Sequence, residues 1–132
     1  MDVRMDGRRA IITGGSAGLG KAMAKEFIRS GADVAIVGRR QEALDLAGKE
    51  ILAGGSGKVA VISGDIRLAD DCQRVVREAE ASLGPIDILV NNAGTSQRGE
   101  FLEISDQLWQ DDLDLKLFSA IRLSRMLIPG MR

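Results

Sequence analysis

Residues 10–20 read AIITGGSAGLG, a short apolar run followed by a glycine-rich stretch that leads into a segment with helical periodicity. The apolar run predicts a buried β-strand, and the residues after the glycines predict a helix. At such a junction the glycines allow a tight turn, and the helix presents free N–H groups and the positive end of its dipole. The spacing, G-x-x-x-G-x-G from Gly14 to Gly20, therefore predicts a binding site for a pyrophosphate.

Apolar runs alternate with helix-period segments along the rest of the chain. This alternation predicts strands over 10–13, 34–37, 59–62 and 86–90, and helices over 19–30, 41–53, 68–83 and 105–128. Short apolar strands between helices are typical of a parallel sheet with both faces covered. Right-handed crossovers then give an α/β fold, a Rossmann-type doubly wound parallel sheet with strand order 3-2-1-4. We expect Leu19, Met23, Phe27 and Ile28 to form one buried stripe, and Pro129 to end the last helix.

Composition narrows the classes of function. The 132 residues carry a net charge of −1, with no long basic run, so no nucleic-acid partner is expected. No apolar stretch is long enough to cross a membrane, the N-terminus lacks a secretory signal, and the single Cys72 is expected in the core; a cytoplasmic location follows. The absence of histidine, with one cysteine, predicts no metal site and no Ser-His-Asp system.

The end of the second predicted strand indicates which nucleotide is bound. In a dinucleotide-binding fold this position meets the adenosine ribose, where an acidic residue favours NAD(H). Here the chain has Gly38-Arg39-Arg40, and a guanidinium suits a 2′-phosphate. We therefore expect NADP(H) to be favoured over NAD(H). The alternative is that the two arginines are simply solvated at the start of a helix.

Three motifs in register carry a resemblance to a known family. They are TGGSAGLG over residues 13–20, Gly64-Asp65 after the third strand, and GPIDILVNNAG over residues 84–94. In order and placement these motifs resemble the short-chain dehydrogenase/reductase family. The resemblance covers essentially the whole chain but only the N-terminal part of the family's domain. It implies that residues 1–132 form a single NAD(P)-binding Rossmann domain, incomplete at its C-terminal end.

The resemblance also implies which residues contact the cofactor. The expected cofactor-binding residues are Gly14, Ser16, Gly18, Leu19, Gly20, Arg39, Arg40, Asp65, Ile66, Asn92, Ala93 and Gly94. By resemblance, the Asp65 carboxylate accepts a hydrogen bond from the adenine amino group, although Asp is also a common turn residue before a helix. The backbone of 92–94 would pass the adenine-side ribose, whereas Asn91 is expected to be structural.

The family's chemistry is hydride transfer on a carbonyl or alcohol substrate, with a Tyr as general acid/base supported by Lys, Ser and Asn. These 132 residues contain no tyrosine, so the chain alone is expected to be inactive. Counting seven residues from Trp109 places Lys116 at the family's Asn position. Lys116 either donates to a water chain or simply reaches solvent, and both alternatives remain open. A non-catalytic nucleotide-binding module or sensor is the second hypothesis, while the NNAG motif argues against an epimerase or dehydratase.

The last helical region is apolar on two sides if it is one continuous helix. One side carries Leu113, Leu117, Ala120, Ile121 and Ile128, and the other carries Leu108, Leu115, Phe118 and Met126. A helix that is apolar on both sides is buried on both sides. We therefore expect the second set to pack on a second subunit in a homo-oligomer, or on missing parts of the chain's own domain. For the chain alone, the expected outcomes are a two-fold dimer packed through the second set, strand pairing across an open edge at Ile86, Ile88 and Val90, or aggregation. The loop 96–98 is either part of the substrate pocket or solvated.

Overall fold

The computed structural model describes residues 3–94 and 99–132. The predicted loop 96–98 lies outside the described residues. Along the chain the elements are β1 (Arg9–Thr13), α1 (Gly18–Arg29), β2 (Asp33–Gly38), α2 (Gln41–Leu52), β3 (Val59–Ser63), α3 (Ala69–Leu83), β4 (Ile88–Val90), α4 (Asp106–Leu113), a π-helical turn (Asp114–Phe118) and α5 (Ser119–Met131). Each predicted strand and helix is present.

The four strands form one parallel sheet in the order β3-β2-β1-β4, which confirms the predicted topology. Ile11 pairs with Ala35 of β2 on one side and with Leu89 of β4 on the other. Since all strands run in the same direction, their carboxyl ends lie at one edge of the sheet. The turns that follow β1, β2, β3 and β4 therefore meet there.

Helices cover both faces of the sheet. On one face, Ile12 and Ile36 pack with buried residues of α1 and α2, such as Ala24 and Leu44. On the other face, the core continues from Ile11 into α3 and α5; its buried helical residues include Cys72, Val75, Ala79, Leu123 and Leu127. The central strands β1 and β2 are thus buried on both sides, as their apolar sequences predicted, whereas the edge strands β3 and β4 are mostly half-buried.

Two small features of the helices also agree with the sequence. The Ser105 side chain caps α4 by accepting a hydrogen bond from the Leu108 N–H over 3.2 Å. The Cys72 thiol is fully buried and donates to the Ile66 carbonyl over 3.2 Å. Burial raises the pKa of the Cys72 thiol, so this residue is a core residue of low reactivity.

The last helical region is not one continuous α-helix, and the π-helical turn changes its faces. The inward stripe is Leu115, Ser119, Leu123 and Leu127, with Met126 beside it. Leu115 and Met126 therefore pack on the core, and the predicted dimer surface that contains them is wrong. The buried position 119 is a serine whose hydroxyl donates to the Leu115 carbonyl over 2.6 Å, and this polar residue interrupted the apolar pattern.

Three local expectations are also corrected. Helix α5 continues through Pro129 to Met131, because the proline removes one donor near an exposed helix end that water can reach. Leu19, expected in the buried stripe of α1, is 70% exposed at the second position of the helix, Met23 and Phe27 are half-buried, and Ala24 is buried together with Ile28. Strand β4 begins at Ile88, and Ile86 is buried as a connecting residue before it.

Within residues 3–94 and 99–132, every helix is too short or too polar to cross a bilayer. Over the same residues, His, Cys, Asp and Glu side chains form no group that could hold a metal ion.

Candidate nucleotide-binding site

A cavity opens at the carboxyl ends of the strands, where the turns after all four strands meet. Its lining residues are Gly14, Ser16, Val37, Gly38, Arg39, Arg40, Gly64, Asp65, Ile66, Ala93, Gly94 and Leu115. Most of the predicted cofactor residues therefore line one cavity. The others, Gly18, Leu19, Gly20 and Asn92, belong to the turn, the first turn of α1 and the β4 loop beside it.

The glycine-rich turn has the backbone that its sequence predicts. Gly14 and Gly18 have φ angles of 67° and 55°, which side chains other than glycine rarely adopt. Ala17 occupies the N-cap of α1 and has no side-chain acceptor, so the first N–H groups of the helix keep their capacity to bind an anion. Gly20 serves packing: a Cβ there would collide with the Gly14 carbonyl oxygen and lie 2.5 Å from Asn92 Nδ2.

Hydrogen bonds from Thr13 and Asn92 join the turn after β1 to the loop after β4. The buried Thr13 hydroxyl donates to the Val90 carbonyl over 3.3 Å and accepts from the backbone N–H groups of Asn92 and Ala93, both over 3.0 Å. The Asn92 amide donates to the Gly14 carbonyl over 3.2 Å. The Asn92 side chain therefore supports the turn, while Ala93 and Gly94 reach the cavity.

The two arginines after β2 are exposed at the cavity wall. The Ser63 hydroxyl donates to the Arg39 carbonyl over 3.2 Å and thereby fixes this turn against β3. Ser16, from the glycine-rich turn, lies beside the same segment, because a Cβ on Gly38 would sit 3.6 Å from the Ser16 hydroxyl oxygen. Ser16, Arg39 and Arg40 thus line the same cavity.

Asp65 is held by a residue that sequence reasoning missed. The Arg67 backbone N–H and Nε donate to Asp65 Oδ1 over 3.1 and 3.0 Å, and Arg67 Nη2 donates to Oδ2 over 2.8 Å. The Arg67 guanidinium, together with a smaller effect of the Arg39 charge, lowers the pKa of the Asp65 carboxyl. The Asp65 side chain thus shapes the turn before α3 and also borders the cavity.

Lys116 lies in the π-helical turn beside the loop after β4. Its Nζ is 3.0 Å from Asp112 Oδ1, and its Cε would be 4.0 Å from a Cβ on Gly94. The neighbouring Leu115 lines the cavity. The lysine is therefore close to the cavity and forms an ion pair along its own helix, with about half of its side chain exposed.

For some residues of the site, the sequence carried little or no indication of their role. Thr13 and Gly64 stood inside the quoted motifs, but their contacts could not be inferred from spacing. Arg67 is one of many charged residues, and its partner Asp65 is only two positions away. In the folded chain the Arg67 side chain turns back onto Asp65 at the cavity wall, and the spacing of the two residues does not predict this contact.

Comparison with known proteins agrees with the motifs. A family model described as short chain dehydrogenase matches residues 8–132. The chain belongs to the short-chain dehydrogenase family. Within this family of oxidoreductases, it is 34% identical over 131 residues to the uncharacterised oxidoreductase YvrD of Bacillus subtilis (strain 168), an alignment that covers 99% of this chain and 49% of that protein.

Solved structures of the family superpose closely on this chain. The crystal structure of L-sorbose reductase from Gluconobacter frateurii, complexed with NADPH and L-sorbose, matches with a TM-score of 0.94 and 36% identity over 99% of this chain and 50% of that one. A metagenomic short-chain oxidoreductase in complex with NADP matches with a TM-score of 0.90 and 29% identity, over 96% of this chain and 57% of that one. The short-chain dehydrogenase chain described here thus spans about half the length of these relatives.

Proposed function

We propose that this chain binds NADP(H) in the cavity at the carboxyl ends of its strands, as the cofactor-binding part of an oxidoreductase. The observation that carries the proposal is the cavity itself, which joins the glycine-rich turn, the two arginines after β2 and the acid after β3. Ligands of doubly wound sheets bind at this edge. The relatives that were solved with NADPH or NADP support the same assignment.

The pyrophosphate would lie against the glycine-rich turn. Gly18 and the first N–H groups of α1, from Leu19 and Gly20, present backbone donors to an anion without a side chain in the way. The Gly14 N–H donates to the Val37 carbonyl over 2.9 Å, so Gly14 contributes the positive φ of the turn and close approach of the ligand. Each such hydrogen bond to a charged oxygen is favourable. The role of these residues is to fix the phosphate position, and the absence of a side chain at Gly20 lets α1 approach the Gly14 carbonyl closely.

The 2′-phosphate would lie between Arg39, Arg40 and the Ser16 hydroxyl. The guanidinium groups supply charge-assisted donors, and the turn after β2 offers no carboxylate that would repel the phosphate. The exposure of both arginines leaves them free to move onto a ligand. This arrangement is the basis for the proposed preference for NADP(H) over NAD(H).

Adenine would lie between the turn after β2 and the segment Asp65–Ile66, with its amino group facing Asp65. The Ala93 and Gly94 backbone would pass the adenine-side ribose, and the Asn92 side chain would hold that loop in register. The lowered pKa of Asp65 keeps its carboxylate ionised at neutral pH, so it can only accept hydrogen bonds. An acceptor at this position suits an amino group.

The chemistry that NADP(H) supplies is hydride transfer to or from a small-molecule carbonyl or alcohol. Lys116 lies on the Gly94 side of the cavity, where its ammonium could donate to a water chain once it leaves Asp112. The 132 residues contain no tyrosine to act as the general acid/base that the family resemblance implies. We therefore propose that these residues alone hold the cofactor and do not turn over a substrate.

Titration with NADPH and NADH tests the proposal. We expect NADPH to bind more tightly, and Arg39→Ala to weaken NADPH binding by about 1.5–3 kcal/mol while NADH binding changes little. Arg77→Ala, which removes an exposed positive charge on α3, is the matched control and should affect neither ligand. Equal weakening of both ligands by Arg39→Ala would show that Arg39 does not contact the 2′-phosphate.

The second candidate is a nucleotide-binding module or sensor without catalysis. The Lys116–Asp112 ion pair favours it, since it occupies the ammonium at the position where the family resemblance implies an Asn. A turnover assay on a polypeptide that carries these residues together with a Tyr-bearing downstream segment separates the two candidates. Oxidation of NADPH with a panel of ketones supports the oxidoreductase, whereas tight NADPH binding without turnover supports the sensor.

We further propose that the protein works in the cytoplasm as a homo-oligomer. The near-neutral charge and the single buried cysteine are compatible with that location. Self-association is supported by exposed apolar side chains in the last helical region, among them Trp109, Leu113, Leu117, Ile121 and Ile128.

A further inference from the structure

The Asp65 carboxylate is held by three donors that all come from Arg67. Its Oδ1 accepts hydrogen bonds from the Arg67 backbone N–H and from Arg67 Nε. Its Oδ2 accepts a short hydrogen bond from Arg67 Nη2 and a longer one, 3.3 Å, from the same Nε. A carboxylate oxygen has about two lone-pair directions for hydrogen bonds. Oδ1 is filled by its two hydrogen bonds, whereas the 3.3 Å contact of Nε with Oδ2 is the longer branch of a hydrogen bond that Nε makes mainly to Oδ1, so Oδ2 can accept a further donor.

The Arg67 side chain and backbone are themselves fixed by α4 and α5. Its Nη1 is 3.5 Å from Asp111 Oδ2 on α4, and the Arg122 guanidinium of α5 donates to the Arg67 carbonyl over 3.1 Å. The Asp65 backbone is anchored as well, because its N–H donates to Asp71 Oδ2 over 2.7 Å. Both side chains of the pair are only about a quarter exposed. The fork of hydrogen bonds from the Arg67 guanidinium to the Asp65 carboxylate is therefore a constrained arrangement at the cavity wall.

We propose that Arg67 is a positioning residue that aims Asp65 Oδ2 at the exocyclic amino group of the adenine ring. The inference rests on the proposed NADP(H) site and adds a residue that determines recognition of the base. A free carboxylate on a short side chain has several rotamers, and the two-pronged guanidinium selects one of them. Lysine would supply the charge without the fork.

The test compares the affinities of NADP⁺ and its hypoxanthine counterpart, in which a carbonyl replaces the adenine amino group. We expect the unmodified chain to prefer NADP⁺ by about tenfold, the effect of one hydrogen bond to a charged acceptor. Arg67→Ala should reduce this ratio to about twofold or less, and Arg67→Lys should restore only part of it. The ratio is insensitive to a loss of folded protein, because both ligands are measured on the same sample.

Two controls separate positioning from general support of the structure. Asp111→Asn removes the contact with α4 but leaves the fork, so the preference for adenine should survive. Arg77→Ala, on the exposed side of α3, should leave the preference unchanged.

A full preference in Arg67→Ala, or full restoration by Arg67→Lys, overturns the positioning role of Arg67. Loss of the preference in Asp111→Asn equal to that in Arg67→Ala also overturns it and assigns Arg67 to tethering α4. An unmodified chain that binds both ligands equally well rejects the positioning role while cofactor binding stands. Failure to bind either ligand rejects the proposed function itself.

Discussion

The side-chain amide of Asn92 donates a hydrogen bond to the backbone carbonyl of Gly14 over 3.2 Å, and so ties the loop after β4 to the turn after β1. Helix α1 packs directly against this junction at Gly20, where a Cβ would meet both of the bonded groups. The glycine-rich turn is therefore held in place from two sides. Its shape depends on a hydrogen bond and on the absence of one side chain.

We predict that Gly20→Ala destabilises the fold by about 1–3 kcal/mol, the usual cost of overpacking, because α1 has to move away from a backbone carbonyl. NADPH binding should weaken as well, since the first turn of α1 shifts. Urea unfolding and an NADPH titration measure the two effects. Gly130→Ala is the control: with no described atom within 4 Å of the added Cβ, its free energy of unfolding should change little or increase.

A side chain at position 94 should block the cavity without loss of stability. Gly94 lines the cavity, its φ is not in the left-handed region, and among described residues only Lys116 Cε comes within 4.0 Å of an added Cβ. Gly94→Val should therefore keep the free energy of unfolding within about 0.5 kcal/mol. NADPH affinity should fall by about tenfold or more, as expected for an overpacked site. Unchanged affinity would place the cofactor away from Gly94.

The Asp65–Arg67 pair should give the stability of the chain a measurable dependence on acidic pH. Because Arg67 lowers the folded-state pKa of Asp65, the stabilisation is complete above the unfolded-state pKa of about 3.9 and is lost as the pH falls through the lower folded-state value. Asp65→Asn should be less stable than the unmodified chain at pH 6, and the difference should shrink as the pH falls below about 4. Thermal unfolding from pH 6 to pH 3 measures this.

Arg67→Ala provides the matched variant for that experiment. It removes the partner of the same carboxylate, so the loss of stability should again shrink as the pH falls. Added to Asp65→Asn, it should cost little beyond the longer 3.5 Å contact with Asp111, since both variants break the same Asp65–Arg67 pair. Additive losses, or a difference in stability that is as large at pH 3 as at pH 6, would show that the ion pair does not stabilise the fold.

The sequence was sufficient to predict the sheet, because the patterns that indicate its strands and turns are local along the chain. Continuous apolar strands, glycine turns and helix-period segments predicted all four strands and their order, and the cavity gathers residues from every motif. The prediction of the buried and exposed faces of the last helical region was wrong for a physical reason. A π-helical turn adds a residue to one turn, so positions on either side of Lys116 no longer share the faces of a continuous α-helix.

The buried stripe of that region also lacked a clear apolar pattern. Ser119 lies in its centre and satisfies its hydroxyl on the Leu115 carbonyl, which no hydrophobic pattern can indicate. Likewise, the contact of Arg67 with the cavity wall depends on where its side chain folds, and spacing along the chain does not determine that. Such side-chain choices account for what the sequence did not predict at the site.

The corrected faces of α4 and α5 give a sharper prediction for self-association. Trp109, Leu113, Leu117, Ile121 and Ile128 follow one another at spacings of four or seven residues, and each is between 38% and 48% exposed. Trp109 and Leu113 lie on one side of α4, and Ile121 and Ile128 lie on one side of α5, with the exposed Leu117 in the π-helical turn between them. We call these five exposed side chains the apolar stripe. We predict that this stripe is the self-association surface.

A charge in the middle of the stripe should separate the subunits. Leu117→Glu should shift sedimentation at low micromolar concentration toward the 14.1 kDa monomer, because a carboxylate buried without a partner at an interface is strongly unfavourable. Leu46→Glu, at a comparably exposed leucine on α2, is the control and should sediment like the unmodified chain. An unmodified chain that is already a folded monomer would reject the stripe as the contact surface. Equal dissociation of the oligomer in both variants would reject it as well.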